Sequence, residues 1–292
     1  MGSPEVFEQH RSLLFAIAYE ITGAAADAED VVQDSYLKWA EVNDDGVGNP
    51  RAYLAKIATR TALNALRSSQ RRREEYVGPW LPEPILTGPD VAEDAVLGEA
   101  LSVAMLVVLE SLTPDERAVF VLREVFDFPY TEIAEVTGKS QAAVRQLAHR
   151  AKEHVSARQP RFEVGTRQQR EVADRFMAAT LGGDLQSLMD VLAPGAVLLA
   201  DGGGKVSTAR RPVHGPEKIA RFLVGVHSRP LPDMRVEFST LNNMPGLLVF
   251  SGGRLDVAAM VEVHGGQVTG VYVVRNPDKL VLLARGTRGV LG

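Results

Sequence analysis

A chain of 292 residues is long enough for two or three domains, each with its own hydrophobic core. Its composition, 45% hydrophobic and 24% charged, is typical of a globular protein, and its net charge of -5 argues against a generic nucleic-acid coat. The absence of cysteine excludes disulfides and thiolate metal sites, and no apolar run approaches the roughly 18 residues of a membrane span. We therefore expect a cytoplasmic protein that uses no metal and no cofactor.

Charge is segregated near the N-terminus. Residues 1–45 carry two basic and ten acidic side chains, whereas residues 46–73 carry seven basic and no acidic ones. Such a switch between adjacent segments indicates two faces made for two different partners. Apolar residues at helical spacing predict a first helix over Val6–Thr22, which Gly23 ends.

The acidic segment contains a second predicted helix, Asp27–Trp39, whose two sides differ. Its core side consists of Val31, Val32, Ser35, Tyr36 and Trp39. Its opposite side consists of Asp27, Asp30, Asp34 and Glu41, with Leu37 beside them. Internal packing does not explain the outward Leu37. This side is either a solvated acidic face or a dock for a basic partner, and the basic segment that follows favours the dock.

Arg51–Arg73 lacks proline and glycine and is predicted as one long helix after the turn-rich loop Asn43–Pro50. One stripe of this helix, about 80° wide, combines cations with an aromatic ring and an amide. The stripe consists of Tyr53, Lys56, Arg60, Asn64, Arg67 and Arg71. Cations suit phosphates, while a ring and an amide suit unstacked bases, so the stripe fits a nucleic-acid strand. The alternative is a solubilising helix face.

The segment Tyr76–Asp90 is rich in proline and glycine, so it cannot form a helix or a central strand. It has the character of a linker, yet Trp80, Leu81 and Ile85 are too apolar for a freely solvated tether. We expect part of it to dock on a surface. The alternative is an ordinary extended linker.

Helical patterning returns over Ala92–Leu112. A further helix, to about Glu124, is predicted to start at Thr113, with a proline at its first position. Thr113 is its N-cap, and Glu116 completes a capping box.

Two more helices predict a helix-turn-helix. They cover Tyr130–Thr137 and Gln141–Val155, with a turn at Gly138–Lys139 and Ser140 as the cap of the second helix. The outward face of that second helix consists of Gln141, Ala142, Arg145, Gln146, His149 and Lys152.

Beyond residue 165 the sequence predicts an α+β plan with an antiparallel curved sheet. The predicted helices are Arg167–Leu181, Leu185–Leu192 and Pro216–Val226. The predicted strands are Ala196–Leu199, Val206–Val213, Arg235–Leu241, Leu247–Ser251, Leu255–Val263 and Val268–Val274. Turn chemistry separates them at Asp201–Lys205, Asn242–Gly246, Ser251–Gly253 and His264–Gly266.

Three segments, Asp27–Trp39, Asn49–Arg67 and Leu112–Val155, resemble in order the sigma-70 superfamily, in particular its extracytoplasmic-function class, which keeps only regions 2 and 4. The resemblance covers roughly residues 5–157. It implies a multidomain fold with two all-α domains: a region 2 helical bundle over 1–75 and a region 4 helix-turn-helix over 101–160, joined by a linker over 76–100. It also implies a sigma factor that binds core RNA polymerase and directs promoter-specific transcription initiation.

The resemblance implies roles for particular residues. Those matching the polymerase-binding segment are Asp27, Asp30, Gln33, Asp34 and Leu37. The stripe from Tyr53 to Arg71 would melt and hold the -10 strand. Residues placed to read the -35 duplex are Ser140, Gln141, Arg145, Gln146, His149 and Lys152. An extended linker spans up to about 80 Å, which covers the roughly 70 Å of two duplex turns.

The C-terminal order of helices and strands is similar to the cone-shaped SnoaL-like fold, expected over residues 165–285. With the motifs WLPEP (80–84), DGGGK (201–205) and NPDKL (276–280), the chain resembles a sigma-factor group that carries this domain. The resemblance implies that the appended domain contacts the linker and sigma regions and controls them without a separate anti-sigma partner. The expected regulatory contacts are Trp80, Glu83, Asp201, Gly202, Gly203, Gly204, Lys205, Asn276 and Lys279, with Glu83 as a possible partner of the two lysines.

The SnoaL-like fold often encloses a pocket, and some members are isomerases or cyclases with a carboxylate base. Asp201, His214 and Asp256 are the candidate polar groups of such a pocket. Since fold alone does not assign chemistry, we favour regulation, or sensing of an unidentified small ligand, over catalysis. Two alternatives stay open: a stand-alone helix-turn-helix regulator with a ligand-sensing domain, and a cone-fold enzyme in residues 165–292.

Overall fold

The computed structural model describes residues 2–43, 46–87, 102–157, 167–228 and 231–289, with side chains except at 70–74 and 287–289. The described residues form two compact units. The first contains 2–43, 46–75 and 105–157, and the second contains 76–87, 102–104, 167–228 and 231–289. The predicted helix start at Ala92, the linker beyond residue 87 and the Arg71 side chain lie outside the described residues.

The first unit begins with three helices: α1 (Pro4–Thr22), α2 (Ala25–Ala40) and α3 (Pro50–Glu74). The Ser3 hydroxyl caps α1 by accepting a hydrogen bond from the Val6 N–H, which moves the helix start two residues ahead of the predicted one. Apolar sides of the three helices meet in a core that includes Phe7, Leu14, Ile17, Trp39 and Leu54.

Helix α4 (Val103–Leu109) starts with two residues of the second unit and continues in the first from Met105. It is followed by α5 (Pro114–Phe120) and one π-helical turn over Val121–Val125. The capping box predicted at Thr113 is confirmed, because its hydroxyl accepts from the Glu116 N–H while the Glu116 carboxylate accepts from the Thr113 N–H.

The helix-turn-helix is confirmed as α6 (Tyr130–Thr137) and α7 (Gln141–Ser156). Gly138 adopts the left-handed φ of 68° that ends α6, and the Ser140 hydroxyl accepts from the Ala143 N–H at the start of α7.

The second unit carries one six-stranded sheet, and three of its helices pack on one face. Its helices are α8 (Arg167–Gly182), α9 (Leu185–Val191), α10 (Pro216–His227) and, after a 3-10 turn at Pro277–Leu280, α11 (Val281–Gly289). Its strands are β1 (Leu192–Asp201), β2 (Val213–His214), β3 (Arg235–Leu241), β4 (Met244–Ser251), β5 (Arg254–His264) and β6 (Gln267–Val274). The strand order is β2-β1-β6-β5-β4-β3.

Strand alternation divides the sheet into two faces. Residues such as Leu198, Val249, Val261 and Val271 pack with α8, α9 and α10 in an apolar core. Alternate residues, among them Asp201, Asp256 and Glu262, therefore lie on the opposite face.

Three details of the sheet correct the sequence prediction. The sheet is mixed, because β1 and β6 run parallel while its other pairs are antiparallel. In the predicted strand Val206–Val213 only the last residue pairs, since the Val206 N–H bonds to Gly202 within the preceding turn and Pro212 has no N–H to donate. The turn before β4 is shorter than predicted, because Asn242 and Asn243 adopt positive φ and the strand resumes at Met244.

Candidate polymerase, nucleic-acid and linker-binding surfaces

The outward side of α2 is an exposed acidic surface. Asp30, Gln33 and Asp34 are exposed, Asp27 is half-buried, and Leu37 is 58% exposed. Asp30 and Asp34 make no ion pair within the part of the chain that the structure describes. The core side is buried as predicted except at Tyr36, which is 38% exposed and touches Phe7 edge-on. This surface offers two unneutralised carboxylates around an apolar side chain.

The cationic stripe of α3, in contrast, has partners in α5 and α6. The Arg60 guanidinium donates to the Val136 and Glu135 carbonyls, both at 2.9 Å. Arg67 pairs with Asp115 at 2.8 Å, and Lys56 lies 4.0 Å from the Glu135 carboxylate. The other described stripe residues are Tyr53, whose ring lies 5.9 Å from that of Trp39, and the exposed Asn64.

Helix α7 presents its predicted outward face to solvent. Buried Val144, Leu147 and Ala151 hold the helix against the rest of the unit. Its exposed residues include Gln141, Ala142, Arg145, Gln146, His149 and Lys152, and Ser140 at its cap is exposed as well. Two of these side chains have neighbours: Lys152 pairs with Glu124 and His149 with Glu153. Exposed cations and amides on one side of a helix can contact phosphates and base edges in a major groove.

Linker residues 76–87 dock on the C-terminal unit around a buried Asp201–Lys279 ion pair. The Asp201 side chain is 0% exposed and the Lys279 side chain 7% exposed, and their charged atoms lie 2.8 Å apart. Asp201 also accepts hydrogen bonds from the Tyr76 hydroxyl at 2.5 Å and from the Leu81 N–H at 2.9 Å. The Lys279 ammonium donates to the Leu81 carbonyl and lies 3.8 Å from the centre of the Trp80 ring. Four groups of the linker thus converge on one buried pair.

The Tyr76 hydroxyl stays protonated and donates its hydrogen bond to Asp201. Burial, followed by the hydrogen bond with Asp201 and its charge, raises the pKa of Tyr76 far above its ordinary value. The same hydroxyl accepts from the Asn276 amide at 2.7 Å, and Asn276 caps the 3-10 turn that carries Lys279. The network is therefore tied to both the linker and the C-terminal motif.

The glycines of the loop 201–205 allow close approach of other chain segments. A β-carbon on Gly203 (φ 58°) would lie 2.4 Å from the Asn276 amide nitrogen, and one on Gly204 (φ 70°) 3.1 Å from the Val77 side chain. On Gly202 it would lie 2.5 Å from the Val206 carbonyl. Lys205 at the end of the loop pairs with Asp278.

A second attachment fixes the other end of the described linker. The Ile85 N–H donates to the Asn242 side chain, and the Asn242 N–H donates back to the Ile85 carbonyl. The Thr87 N–H donates to the Thr240 carbonyl, so the linker adds a short antiparallel bridge, Leu86 to Leu241, beside β3. Glu83 lies between the two attachments, which end at Leu81 and begin again at Ile85.

The three pocket candidates do not share the core between sheet and helices. Asp201 lies on the opposite face of the sheet in the network above, and Asp256 on that face pairs with Arg275 at 2.6 Å. His214 is exposed on β2. In the described part of the chain, no cluster of three or more His, Cys, Asp or Glu is arranged to hold a metal ion.

Several residues that make the contacts within the two units could not be recognised from the sequence. Tyr76 precedes the linker motif and Asn242 sits in an ordinary turn, so neither stood out. Arg117, 1% exposed, lies within an amphipathic helix, where a single arginine predicts a solvated position. Asn276, in contrast, was an expected regulatory contact, and its position before Pro277 is typical of the cap that it forms.

Comparison with known proteins identifies the family. The model described as Sigma-70 region 2 matches residues 6–72, and that described as Sigma-70, region 4 matches residues 102–155. The chain is 38% identical over 288 residues to ECF RNA polymerase sigma factor SigJ of Mycobacterium tuberculosis (H37Rv), covering 94% of this chain and 91% of that protein. It is 28% identical over 275 residues to the probable ECF sigma factor SigI of Mycobacterium tuberculosis (CDC 1551), covering 93% and 92%.

A solved structure agrees with this family. The crystal structure of Mycobacterium tuberculosis extracytoplasmic function sigma factor SigJ matches with a TM-score of 0.77 at 34% identity, covering 95% of this chain and 98% of that one. The chain belongs to the extracytoplasmic-function sigma factor family, with two all-α sigma regions and a SnoaL-like C-terminal domain.

The partners of the chain follow from its family. It binds core RNA polymerase and promoter DNA and directs transcription initiation, and the family is not enzymatic. No helix in the described ranges is long and apolar enough to cross a membrane.

Proposed function

We propose that this sigma factor docks on core polymerase through the acidic surface of α2, holds the -10 strand on α3 and reads the -35 duplex with α7. We further propose that its C-terminal domain regulates these steps by fixing the linker. The observation that carries the proposal is the contrast on α2, where Asp30 and Asp34 are exposed without an ion pair among the described residues and Leu37 is 58% exposed. An exposed apolar side chain flanked by carboxylates that have no ion pair among the described residues resembles the apolar centre and charged rim of an interface, which favours a dock over a solvated face.

Charge reversal tests the polymerase dock. Asp30→Lys/Asp34→Lys should weaken binding to purified core polymerase at least about tenfold, because opposite charges across an interface become like charges. Glu8→Lys/Glu132→Lys makes the same change in charge at residues that, within the described chain, also have no ion pair. It should leave the affinity unchanged. Equal affinities of the two double variants would contradict the dock and indicate that the α2 surface is only solvated.

The DNA assignments are tested by transcription from a promoter library with core enzyme. Arg145→Ala and Gln146→Ala change exposed side chains of α7, so they should alter the preferred -35 bases without changing core affinity. A stand-alone regulator would instead bind duplex tightly without polymerase, and it would leave Asp30, Asp34 and Leu37 with no role.

Regulation through the linker is supported by the Asp201 network, because it binds the segment that joins regions 2 and 4 in sequence. Asp201→Asn should change promoter-specific transcription at constant core affinity. Unaltered transcription, with the linker shown to be released, would contradict the regulatory role.

We assign no turnover to the C-terminal domain. Asp201 and Asp256 are each paired with a cation, which competes with a role as a general base, and His214 is exposed on a two-residue strand. A small-molecule ligand and a cytoplasmic location remain part of the proposal, the latter because polymerase and promoter DNA are there.

A further inference from the structure

The C-terminal part of the chain has the opposite charge balance from the part that precedes it. Residues 1–164 contain 17 basic and 26 acidic side chains, whereas residues 165–292 contain 15 basic and 11 acidic ones. The cations are concentrated, because residues 202–221 contain five Lys or Arg and one acid. No role proposed above accounts for this local excess of positive charge.

The loop between β1 and β2 holds two arginines at the surface. Ala209 and Val213, on either side of them, pack against the apolar core, whereas Arg210 and Arg211 are exposed. Directly after the arginines, β2 pairs with β1, so the loop is fixed to the sheet where it ends. The two guanidinium groups therefore project from an anchored stretch of backbone.

A lysine of α10 extends this surface. Lys218 is exposed, while the next residue, Ile219, is fully buried in the core. Arg211 and Lys218 are seven positions apart, so their α-carbons lie within about 25 Å even along a fully extended chain. One turn of duplex DNA is about 34 Å long. The basic surface formed by Arg210, Arg211 and Lys218 therefore fits within a single turn of duplex.

Acidic side chains do not neutralise the basic surface. The one acid within residues 202–221, Glu217, pairs with Arg221 at 2.7 Å. Asp201, which precedes this segment, pairs with Lys279. Among the residues whose side chains the structure describes, no carboxylate lies within ion-pair distance of the basic surface. Its three positive charges are therefore available to an anionic partner.

The composition of the segment indicates the chemistry of that partner. Residues 202–221 contain no Asn, Gln, Phe, Tyr or Trp, so they offer no side-chain amide for a base edge and no large ring for an unstacked base. Guanidinium and ammonium groups bind phosphate oxygens, and duplex DNA carries one negative charge per about 1.7 Å. The basic surface therefore suits the DNA backbone and does not read sequence.

We propose that the basic surface of the C-terminal domain binds the phosphate backbone of promoter duplex outside the -10 and -35 elements. In the proposed function α3 and α7 select the promoter, and this third contact adds affinity that is the same for every sequence. The inference goes beyond that function and requires only the promoter binding that follows from the family.

The salt dependence of promoter binding tests the contact. For full-length protein bound to core polymerase, Arg210→Ala/Arg211→Ala should lower the slope of log affinity against log salt by about 2, since each lost phosphate contact removes about 0.9. The affinity at about 0.15 M salt should fall about tenfold or more. Arg170→Ala/Arg175→Ala removes two exposed arginines of α8 that also have no ion pair in the described chain, so it should leave both values unchanged. Equal slopes in the two double variants would overturn the proposal.

Base preference separates this contact from the proposed -35 contact. In a promoter library, Arg210→Ala/Arg211→Ala should weaken all sequences alike, whereas Arg145→Ala should change the preferred bases. Unchanged preferences in Arg145→Ala would count against α7 alone. Affinity for core polymerase should stay constant in the Arg210/Arg211 variant. Its loss would assign the basic surface to an acidic region of the polymerase and overturn the DNA contact.

Directed cleavage locates the contact on the promoter. Since the chain has no cysteine, Arg211→Cys provides a single attachment site for an iron chelate that cuts nearby DNA. In the complex with core polymerase, the chelate should cut the duplex outside both promoter elements. Arg175→Cys on α8 is the matched control and should give no cuts at those positions. Cuts only within the elements, or equal cutting from the two positions, would contradict the assignment.

Discussion

The two units attach their functional segments in different ways. In the C-terminal unit the linker is held by an ion pair whose side chains are 0% and 7% exposed, whereas in the sigma unit Arg67 and Asp115 are 52% and 27% exposed. Breaking a buried ion pair leaves an unpaired charge in the low-dielectric interior, which costs much free energy. Breaking an exposed pair costs little, because water solvates both charges. The difference indicates that the linker is held stably, whereas the contact of α5 and α6 with α3 is weak enough to open.

The largest effect should come from the buried pair. Asp201→Asn and Lys279→Met should each destabilise the docked linker by about 3–5 kcal/mol, and the double variant should cost less than their sum because no lone charge remains. The chain has two tryptophans, so a Trp39→Phe background leaves Trp80 as the reporter. Its emission should shift to the red in the single variants, and amide exchange over residues 76–87 should accelerate. Additive losses would mean that the two charges are not coupled.

A smaller effect should follow from filling the glycine loop. Gly203→Ala should cost about 2–3 kcal/mol, since a left-handed φ of 58° is combined with a contact to Asn276 at 2.4 Å. Gly253→Ala has φ 73° but no atom within 4 Å of the added carbon, so thermal melting should show only the backbone strain of about 1 kcal/mol. Similar melting temperatures for both variants would show that the loop yields without disturbing Asn276.

Ionic strength should distinguish the buried linker attachment from the exposed contact of α3 with α5 and α6. Raising ionic strength from about 0.1 M to about 1 M shortens the Debye length from about 10 Å to about 3 Å. Dyes attached through Glu41→Cys and Ser156→Cys, two exposed positions in a chain without natural cysteine, should then report a several-fold rise in molecules whose α3 has separated from α5 and α6. Trp80 emission should stay constant. A red shift of Trp80 with salt would remove the distinction between a buried and an exposed attachment.

The smallest effect concerns acid. Partial burial opposes ionisation of Asp115, but its hydrogen bonds with Lys139 and Arg67 and their charges hold its pKa below the ordinary 3.8. Lys139 belongs to region 4 like Asp115 itself, so only the pairing with Arg67 joins this carboxylate to α3. Because the pKa is lowered, that contribution is present above the ordinary value and is lost as pH falls through the lowered one. Distance measurements should show this loss, worth less than about 1 kcal/mol, in the natural chain but not in Asp115→Asn. An identical response to acid in the natural chain and in Asp115→Asn would mean that other carboxylates cause the response.

Local chemistry explains which features could be predicted. The helix Tyr130–Thr137, the strand Arg235–Leu241 and the capping box at Thr113 follow from nearest neighbours along the chain, and the structure confirms them. The docking of the linker near Trp80 was predictable as well, since its apolar residues needed a surface.

Features that depend on distant partners could not be predicted. Arg60 is satisfied by carbonyls of residues 135 and 136, and a carbonyl has no signature in sequence. The parallel pairing of β1 with β6 joins strands about 70 residues apart, and neither strand's alternation indicates its direction. Lys279 pairs with Asp201 and Lys205 with Asp278, choices that only the folded loop 201–205 determines.

The bridge between Leu86 and Leu241 has a consequence for solubility. Strand β3 is at the end of the sheet, and open strand edges are sites where another chain can add by backbone hydrogen bonding. At residues 240–242 the linker itself occupies those hydrogen-bonding groups. Any event that frees the linker also uncovers this length of edge, so release of the linker and a tendency to self-associate are physically coupled in this protein.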